Sequence, residues 1–540
     1  MSHETNVIRH PVTGSVGVSA EGQAKACISD PSYRLVRMHA LGDVLREHRR
    51  SRPEMIAVVD GEVRLSWKEL DSRVNRLAHA LAAKGVEQGE RVLWLGQNSF
   101  RIIETLLAAA KLGAVFCPAN WRMSGNELAR VVEDFDPRVV IWQQEEVEGA
   151  CIEARNQCQA NRHWLCHDQS GDGGYEALLD AESDADIDQL VVPELPVLAV
   201  YTAAFEGLPN AALLPHSTVL FQSLTMAYGD SVNEETVFLN SGPLFHLGTL
   251  MSLLSTFLFG GRNVFIRRME VHQLLSLIQS EGVTHALIPQ PTVEQIREVN
   301  ATGAYDVSSL WATPDAREWV SPRVIPADAP FMKHMSGYGQ TEVMGLCVLG
   351  WCGGTGAGRP SPMIQVRIVD DEGQEVEPGV VGEIVIRGSL VMAGYFNRSE
   401  ENAFRSRGGW HHTNDLGKRL EDGSIVFVGP KTTMIKSGVE NIYPVEVENC
   451  LRSHPAIENV CVIGVPDPTW SQNVRAVVVL KEGHQASEQS LIEHCREHIA
   501  SYKKPKDVVF VNELPLTKLG LVDREAVDAA HGGGGYPSAG

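Results

Sequence analysis

The sequence contains little that would indicate an exported, metal-binding or membrane-spanning protein. Its ten cysteines include no Cys-x-x-Cys pair, so neither a disulfide framework nor a structural zinc site is predicted, and buried thiols in a reducing compartment are favoured. The first thirty residues lack the apolar core of a signal peptide. The longest apolar run, 244–260, is too short and too polar for a membrane span. A cytoplasmic protein with a buried helix at 244–260 is therefore expected.

Positive charge is also scarce. The chain has 47 Lys and Arg against 68 Asp and Glu, which gives a formal net charge of −21. An acidic surface argues against nucleic acid or an anionic membrane as a partner. With 540 residues, 43% of them hydrophobic, the chain is long enough for two or more domains.

The hydrophobic pattern divides the chain into regions of different fold. From Leu41 to about residue 201, apolar strands alternate with amphipathic helices, which predicts layers of parallel sheet. After Gly358, apolar and polar residues alternate across turns at 371–373 and 378–379, as in antiparallel strands. The last hundred residues hold strand-like runs and a helix, enough for a small domain. The predicted class is α/β, with a multidomain α+β organisation.

Six motifs have an order and spacing that are specific only in combination. They are Pro243–Gly248 (PLFHLG), Tyr338–Glu342 (YGQTE), Gly382–Gly388 (GEIVIRG), Gly409–Gly417 (GWHHTNDLG), Ile435–Glu448 (IKSGVENIYPVEVE) and the segment that begins at Tyr502 (YKKPKDVVF). With this set the chain resembles the ANL superfamily of acyl-CoA synthetases, peptide-synthetase adenylation domains and luciferases, over roughly residues 40–530.

The resemblance implies a large N-terminal domain of layered sheets and helices with a distorted β-barrel, and a small, mobile α+β C-terminal domain. The predicted boundaries are a flexible arm at 1–33, an AMP-binding domain at 34–431, a small domain at 432–530 and a disordered tail at 531–540.

The resemblance also implies two half-reactions. A carboxylate attacks the α-phosphate of ATP to give acyl-AMP and pyrophosphate; the small domain then rotates, and a thiol attacks the acyl carbonyl and expels AMP.

The residues expected to bind the adenylate lie in these motifs. A carboxylate can accept two hydrogen bonds from neighbouring hydroxyls, and the resemblance gives Asp415 this role on the ribose. Tyr338 would face the adenine, Thr341 would donate to the phosphate, and Glu342 matches the family's magnesium-associated carboxylate. Magnesium is not required for the second half-reaction, and no other metal is expected. The full set is His246, Gly248, Tyr338, Gly339, Gln340, Thr341, Glu342, Asp415 and Lys436.

Glycine is expected to matter at two places. Gly337 and Gly339, on either side of the tyrosine, would let the backbone approach the purine, and Gly438 would let a narrow thiol arm pass. The resemblance places Gly438 in a hairpin that lines the pantetheine tunnel, where the family often has a second glycine; here that residue is Val439.

Histidines provide one further candidate. An imidazole on an apolar run is usually a core residue, but the resemblance makes His246 a gate between acyl pocket and nucleotide that helps to orient the acyl carbonyl. The neighbours His411 and His412 are interpreted as filling the slot that the family gives to Phe-His, because adjacent residues rarely reach one ion. Catalytic roles are thus assigned to Gly438, His246 and Thr341.

The chain departs from the family where ATP is bound. The family's phosphate loop, approximately Thr-Ser-Gly-Thr-Thr-Gly-x-Pro-Lys-Gly, aligns with 202–211, where Asn210 replaces the lysine and Glu206 adds a negative charge. A polyphosphate is normally held there by backbone N–H groups, hydroxyls and the lysine.

A second departure concerns attack on the α-phosphate. Leu521 replaces the lysine that in the family bridges carboxylate and α-phosphate, and losing one such donor costs roughly a hundredfold to a thousandfold in rate. At the hinge, Pro430 replaces an arginine that usually touches ribose, and Thr432 replaces the usual Asp or Lys. A glycine-rich segment near the adenine wall is altered at 312–316.

The losses therefore fall on triphosphate binding, while the groups for adenosine and thiol delivery remain. This predicts a ligase that makes an acyl-CoA thioester from CoA and a preformed acyl-AMP supplied by a separate adenylating enzyme. A bulky carboxylic acyl group, such as a diterpenoid, is expected. Two alternatives stay open: a complete ATP-dependent ligase with a substitute lysine (Lys518, Lys431 or Lys436), and a pseudoenzyme that binds acyl-adenylate without turnover.

Overall fold

The computed structural model describes residues 35–158, 162–202, 209–288, 290–310, 335–351, 357–431, 434–438, 440–516 and 522–534. The predicted N-terminal arm, most of the C-terminal tail and segment 312–316 lie outside this part. So do five positions that the sequence singled out, namely Glu206, Thr432, Val439, Lys518 and Leu521.

The strands and helices alternate along most of the chain. The strands are β1 Ile56–Asp60, β2 Val63–Ser66, β3 Arg91–Leu95, β4 Val115–Pro118, β5 Val139–Trp142, β6 His163–Cys166, β7 Pro196–Tyr201, β8 Ala211–Pro215, β9 Val237–Asn240, β10 Arg262–Phe265, β11 His285–Ala286, β12 Met335–Gln340, β13 Gly345–Trp351, β14 Ala357–Pro360, β15 Ile364–Val369, β16 Val381–Gly388, β17 Gly394–Tyr395, β18 His411–Arg419, β19 Ile425–Pro430, β20 Ile435–Ser437, β21 Glu440–Ile442, β22 Ile457–Asp467, β23 Ser471–Leu480 and β24 Asp507–Phe510. The helices are α1 Leu41–Ser51, α2 Trp67–Ala83, α3 Phe100–Leu112, α4 Gly125–Phe135, α5 Gln144–Gln157, α6 Tyr175–Asp180, α7 His216–Asp230, α8 Leu247–Phe259, α9 Val271–Glu281, α10 Gln290–Val299, α11 Ser399–Arg405, α12 Pro444–Arg452, α13 Glu488–His498 and α14 Arg524–Ala530.

Two sheets with largely parallel strands form the first part of the large domain. One has the order β17-β8-β7-β4-β3-β5-β6 and the other β11-β9-β10-β1-β2. Strands β3 to β7 of the first sheet pair in parallel, and β8 and then β17 extend the sheet on one side as antiparallel strands. Helices on the faces bury these strands, which explains near-continuous apolar runs such as those of β4 and β5. The predicted parallel layers are confirmed.

The apolar run at 244–260 forms the buried helix α8, as predicted. Among the described residues, no helix is both long enough and apolar enough to cross a membrane.

A seven-stranded antiparallel sheet follows, in the order β12-β13-β14-β19-β18-β16-β15. Its alternating burial along β15 confirms the period-two pattern that predicted antiparallel strands. β12 and β13 approach each other very closely at two glycines. A Cβ built on Gly337, whose φ is +148°, would lie 1.9 Å from the carbonyl oxygen of Val348, and one on Gly339 would lie 1.9 Å from that of Gly345. Glycine at both positions therefore allows β12 to pair with β13.

The small domain is a sheet of order β21-β20-β23-β22 with β24 added in parallel to β23. Helices α12 and α13 pack on this sheet around an apolar core that includes Ile435, Ile442, Val462 and Leu491. This agrees with the small α+β domain that the sequence predicts. The domain boundary at 431/432 stays a prediction.

Candidate functional site

The adenylate motif forms a hydrogen-bonded cluster at the end of β12. The hydroxyl of Tyr338 donates to Asp415 Oδ2 at 2.7 Å, and Gln340 Nε2 donates to the same oxygen at 3.1 Å. The Tyr338 ring stacks on Phe427, with centroids 5.2 Å apart and planes 20° from parallel. Strands β12 and β18 thus bring together Tyr338, Gln340 and Asp415, three residues that the sequence assigned to the adenylate, and β19 supplies Phe427.

Asp415 lies on β18 directly across from Pro430 on β19. Proline brings neither a charge nor a backbone N–H donor, so the position of the lost arginine provides no cation for this carboxylate. Burial raises the pKa of Asp415 to about 7, and the charge of Glu342 adds to the rise, although the hydrogen bonds from Tyr338 and Gln340 oppose it. The carboxylate is therefore held in the protein at considerable electrostatic cost.

Adenylate affinity should depend on pH because of this raised pKa. Ribose hydroxyls donate to an ionised carboxylate better than to a protonated one, so we expect affinity to fall as the pH drops through about 7, by up to about tenfold per pH unit below it. Calorimetry with a non-hydrolysable acyl-sulfamoyl-adenosine, whose sulfamoyl linker replaces the phosphate, measures this. Asp415→Asn should bind the adenylate analogue weakly, with an affinity that does not change with pH. If the affinity of the wild type also stayed the same between pH 5 and 8, the assignment of Asp415 to the ribose would be contradicted.

Thr341 and Glu342 begin the turn that follows β12. Glu342 is buried and its Oε1 accepts a hydrogen bond from the Tyr395 hydroxyl at 2.6 Å, which fixes the orientation of the expected magnesium-associated carboxylate. In the described part of the chain, no three His, Cys, Asp or Glu side chains lie together so as to hold a metal ion. A magnesium ion at Glu342 would therefore depend on oxygens of the nucleotide and of water.

The paired histidines have separate partners. His411 Nε2 lies 3.3 Å from Gln340 Oε1, and burial lowers the pKa of His411 to about 3. His412 lies 3.3 Å from Glu383 Oε2. Their side chains turn to different neighbours, and His411 orients Gln340 beside Asp415.

Gly438 lies at the tip of the β20–β21 hairpin and has a φ of +60°. Its N–H donates to the Trp470 carbonyl at 2.7 Å, and a Cβ there would lie 3.1 Å from the Trp470 ring. Trp470 is 51% exposed, so an aromatic surface flanks the hairpin tip. Lys436 lies on the same hairpin, where burial lowers the pKa of its ammonium.

The hairpin contacts the large domain at His246. Glu440 follows Gly438 by two residues in the hairpin. Its Oε1 lies 3.2 Å from His246 Nε2 and also binds the Arg122 guanidinium. Burial alone would raise the pKa of Glu440, but the hydrogen bond from His246 and the charge of Arg122 outweigh it and lower that pKa. The Arg122 guanidinium lies over the rings of Phe245 and Tyr502. This bridge holds the hairpin that carries Gly438 against the part of the large domain that carries His246.

Sequence reasoning missed Arg122, Glu440 and Tyr443. Glu440 and Tyr443 were inside a quoted motif, but no pattern indicated their partners. Tyr443 belongs to the small domain. Burial, and after it the charges of Glu342 and Asp415, raise the pKa of its hydroxyl. The small domain therefore also approaches the adenylate cluster.

Gly248 lies in the first turn of α8, two residues after His246. A Cβ there would meet no atom within 4 Å, and the residue is exposed. Glycine inside a helix costs about 0.5–1 kcal/mol relative to alanine. The missing side chain leaves open space beside the proposed acyl gate.

Asn210 and Lys431, two of the positions connected with ATP, lie next to charged side chains. Asn210 Oδ1 accepts from Arg398 Nε at 3.0 Å, and Arg398 Nη2 donates to Asp134 Oδ1 at 2.6 Å. Lys431, one candidate substitute lysine, has its ammonium 3.0 Å from Asp371. Both cations are thus engaged by carboxylates.

Comparison with known proteins agrees with the fold. The AMP-binding enzyme family matches residues 45–396, and the AMP-binding enzyme C-terminal domain matches residues 446–521. The chain is 33% identical to the indoleacetate–CoA ligase of Aromatoleum aromaticum, covering 90% of this chain and 97% of that protein. It is 34% identical to the feruloyl-CoA synthase of an Amycolatopsis species, covering 90% and 98%.

A double mutant of o-succinylbenzoate CoA synthetase (MenE) from Bacillus subtilis, bound with its product analogue OSB-NCoA, shares the fold, with a TM-score of 0.76 at 24% identity over 89% of this chain and 97% of that one. The chain belongs to the AMP-binding enzymes and, within them, to the acyl-CoA ligases of the ANL superfamily. This family uses CoA and acyl-adenylate intermediates, typically with ATP and magnesium.

Proposed function

We propose that this ligase performs only the second half-reaction, forming an acyl-CoA thioester from CoA and a preformed acyl-AMP. The observation that carries the proposal is the contact between the Gly438 hairpin and His246, made through Glu440. It brings the hairpin expected to line the thiol route against the expected acyl gate. The sequence at Asn210, Glu206 and Leu521 supports the loss of adenylation.

The chemistry of this half-reaction makes modest demands on the protein. The CoA sulfur attacks the acyl carbonyl carbon, an S–C bond forms, the C–O bond to phosphate breaks, and AMP leaves while the thiol proton passes to solvent. A free thiol has a pKa of about 8.5, so few molecules are ionised at neutral pH and alignment is decisive. Asp415 and Tyr338 would fix the nucleotide, and the Gly438 hairpin would guide the thiol.

At Gly248, two residues after His246, no side chain obstructs a large acyl group, which is compatible with a bulky substrate. The pattern of losses resembles that of the thioester-forming ligase of platensimycin-type diterpenoid biosynthesis, and we infer a diterpenoid-like carboxylic acyl group. A separate adenylating enzyme in the same cytoplasmic compartment would supply the acyl-AMP.

Filling the space at Gly248 should change specificity without unfolding the protein. A Cβ at residue 248 would have no atom within 4 Å and the residue is exposed, so we expect Gly248→Phe to leave the melting temperature unchanged. Thioester formation from a polycyclic acyl-AMP should fall about tenfold or more through steric exclusion, while acetyl-AMP is used as before. Comparing kcat/KM for the two substrates measures the effect; equal values for variant and wild type with the polycyclic substrate would place the acyl pocket elsewhere.

A second candidate is a complete ATP-dependent ligase, favoured by the relatives, which are described as CoA ligases and synthases. Against it, Lys431 is engaged by Asp371 and Glu383. The pseudoenzyme alternative predicts that acyl-AMP binds and no CoA is consumed. Following free thiol with synthetic acyl-AMP and CoA therefore tests the proposal: we expect stoichiometric thiol loss, and binding without thiol loss would contradict it.

A further inference from the structure

Residues 120–127 of the large domain, here called the docking segment, carry side chains that reach the small domain. Arg122 binds Glu440, Ser124 Oγ donates to the His498 carbonyl at 3.4 Å, and Glu127 Oε1 lies 2.9 Å from Lys503 Nζ. The last of these contacts is the most deeply buried, because the side chains of Glu127 and Lys503 are only 10% and 9% exposed, against 33% for Arg122.

Lys503 binds carboxylates of both domains. Its Nζ lies 2.9 Å from Oε1 of Glu127, on α4, and 2.6 Å from Oε1 of Glu446, on α12. Glu127 lies in the part of the chain that matches the AMP-binding enzyme family, and the other two lie in the part that matches its C-terminal domain. Loss of the Glu127 charge would therefore leave the small domain with its own ion pair, whereas loss of Lys503 would deprive a buried carboxylate of each domain of its cation.

The charges of this buried set depend on one another. Burial lowers the pKa of Lys503, but the charges of Glu446, Tyr502 and Glu127 outweigh it and raise that pKa. Burial raises the pKa of Glu446, although the charge of Lys503 opposes the rise, and in the described part of the chain Glu446 Oε2 has no hydrogen-bond partner. Two carboxylates, one from each domain, thus share this ammonium, so the attraction that they contribute between the domains requires Lys503.

The buried set is connected with the β20–β21 hairpin through Tyr502, which precedes Lys503 in the chain. The Arg122 guanidinium lies 5.4 Å from the centre of the Tyr502 ring and also binds Glu440 of the hairpin. Glu440 in turn contacts His246. A displacement of Lys503 from the docking segment would therefore reach the hairpin expected to guide the thiol.

We propose that Lys503 is a positioning residue for thioester formation, which holds the small domain on the docking segment by binding Glu127 and Glu446 together. The hydrogen bonds described for the adenylate cluster join residues of the large domain, so loss of this tie should lower kcat and leave adenylate affinity unchanged. This role rests on the part of the proposed function in which the chain forms a thioester. It is the same whether or not the enzyme retains adenylation.

Glu127→Gln tests this role, because glutamine keeps the size of the side chain and can still cap α4, while the pair of Lys503 with Glu446 stays intact. Lys503→Met removes the ammonium, and a double variant combines the two changes. Glu133→Gln, on the same helix but paired with Arg162 of the large domain at 2.8 Å, is the matched control. Thiol loss with CoA gives kcat and the KM for acyl-AMP, calorimetry with acyl-sulfamoyl-adenosine gives the adenylate affinity, and melting temperatures verify folding.

We expect Glu127→Gln to lower kcat at least tenfold and Lys503→Met to lower it at least as much. Adenylate affinity and the KM for acyl-AMP should stay at their wild-type values, and Glu133→Gln should behave as the wild type. In the Lys503→Met background, Glu127→Gln should cause no further loss of kcat, because the attraction that it removes is already absent.

Three results would overturn the role of Lys503 and leave the proposed function in place. They are a wild-type kcat in Glu127→Gln, an equal loss of kcat from Glu127→Gln in both backgrounds, and a fall in adenylate affinity as large as the fall in kcat, which would indicate a structural effect only. Absence of thioester formation in the wild type would overturn both this role and the proposed function.

Discussion

Gly438→Trp should reduce thioester formation at least a hundredfold while acyl-adenylate binding stays at its wild-type value. The hairpin tip has no room for a side chain on the side of Trp470, whose ring would lie 3.1 Å from a Cβ. An indole would have to displace Trp470 or project into the route of the thiol. Misalignment of reacting groups by about an ångström can cost a hundredfold in rate. Calorimetry measures the adenylate, and a thiol assay measures the thioester.

Two further variants separate obstruction from loss of folding. Gly438→Ala has the same unfavourable positive φ, which costs about 1–2 kcal/mol, but almost no bulk, and should keep most of the activity. Gly483→Trp changes another small-domain glycine, with a φ of +75° and no atom within 4 Å of a Cβ; it carries a similar backbone strain and should leave the rate of thioester formation nearly unchanged. Thioester formation at the normal rate in Gly438→Trp would mean that CoA enters by another path.

Asp415→Ala should weaken acyl-adenylate binding about 10- to 150-fold. The buried ribose hydroxyls would lose a charged acceptor, worth about 1.5–3 kcal/mol, and each 1.4 kcal/mol is a factor of ten in affinity. The variant also leaves the buried Tyr338 hydroxyl without the acceptor that it has at 2.7 Å, so a lower melting temperature is expected as well.

Asp422→Ala provides the matched control, because the Asp422 side chain is 64% exposed in a turn of the same sheet. It should leave both affinity and melting temperature almost unchanged. If Asp415→Ala kept wild-type kinetics with acyl-AMP, the assignment of Asp415 to the adenylate site would be wrong.

The sequence predicted most of the fold because its periodicities are local. The apolar runs of β4 and β5 and the alternation along β15 each indicate which faces are buried, without knowledge of distant residues. The local sequence pattern did not show why residues 337 and 339 are glycine. The close approach that the structure shows for these glycines is to β13, whereas the expectation concerned the purine.

The candidate site was predicted only in part because its contacts cross the domain interface. His246 and Glu440 lie 194 residues apart in sequence, and their contact joins the large domain to the small one. Likewise, the sequence shows that Asn210 replaces the family's lysine, but the residues around Asn210 or around Arg398 do not indicate the hydrogen bond between the two. The roles assigned to the candidate site residues, from His246 to Lys436, remain predictions.

The central claim is that adenylation has been lost and thioester formation kept. One assay with two inputs tests it most directly: the purified protein receives either carboxylic acid, ATP, magnesium and CoA, or acyl-AMP and CoA, and acyl-CoA and pyrophosphate are quantified in both. The account predicts acyl-CoA from the second mixture and neither acyl-CoA nor pyrophosphate from the first. Acid-dependent pyrophosphate release and acyl-CoA formation at comparable rates from the first mixture, with no contaminating ligase, would contradict it.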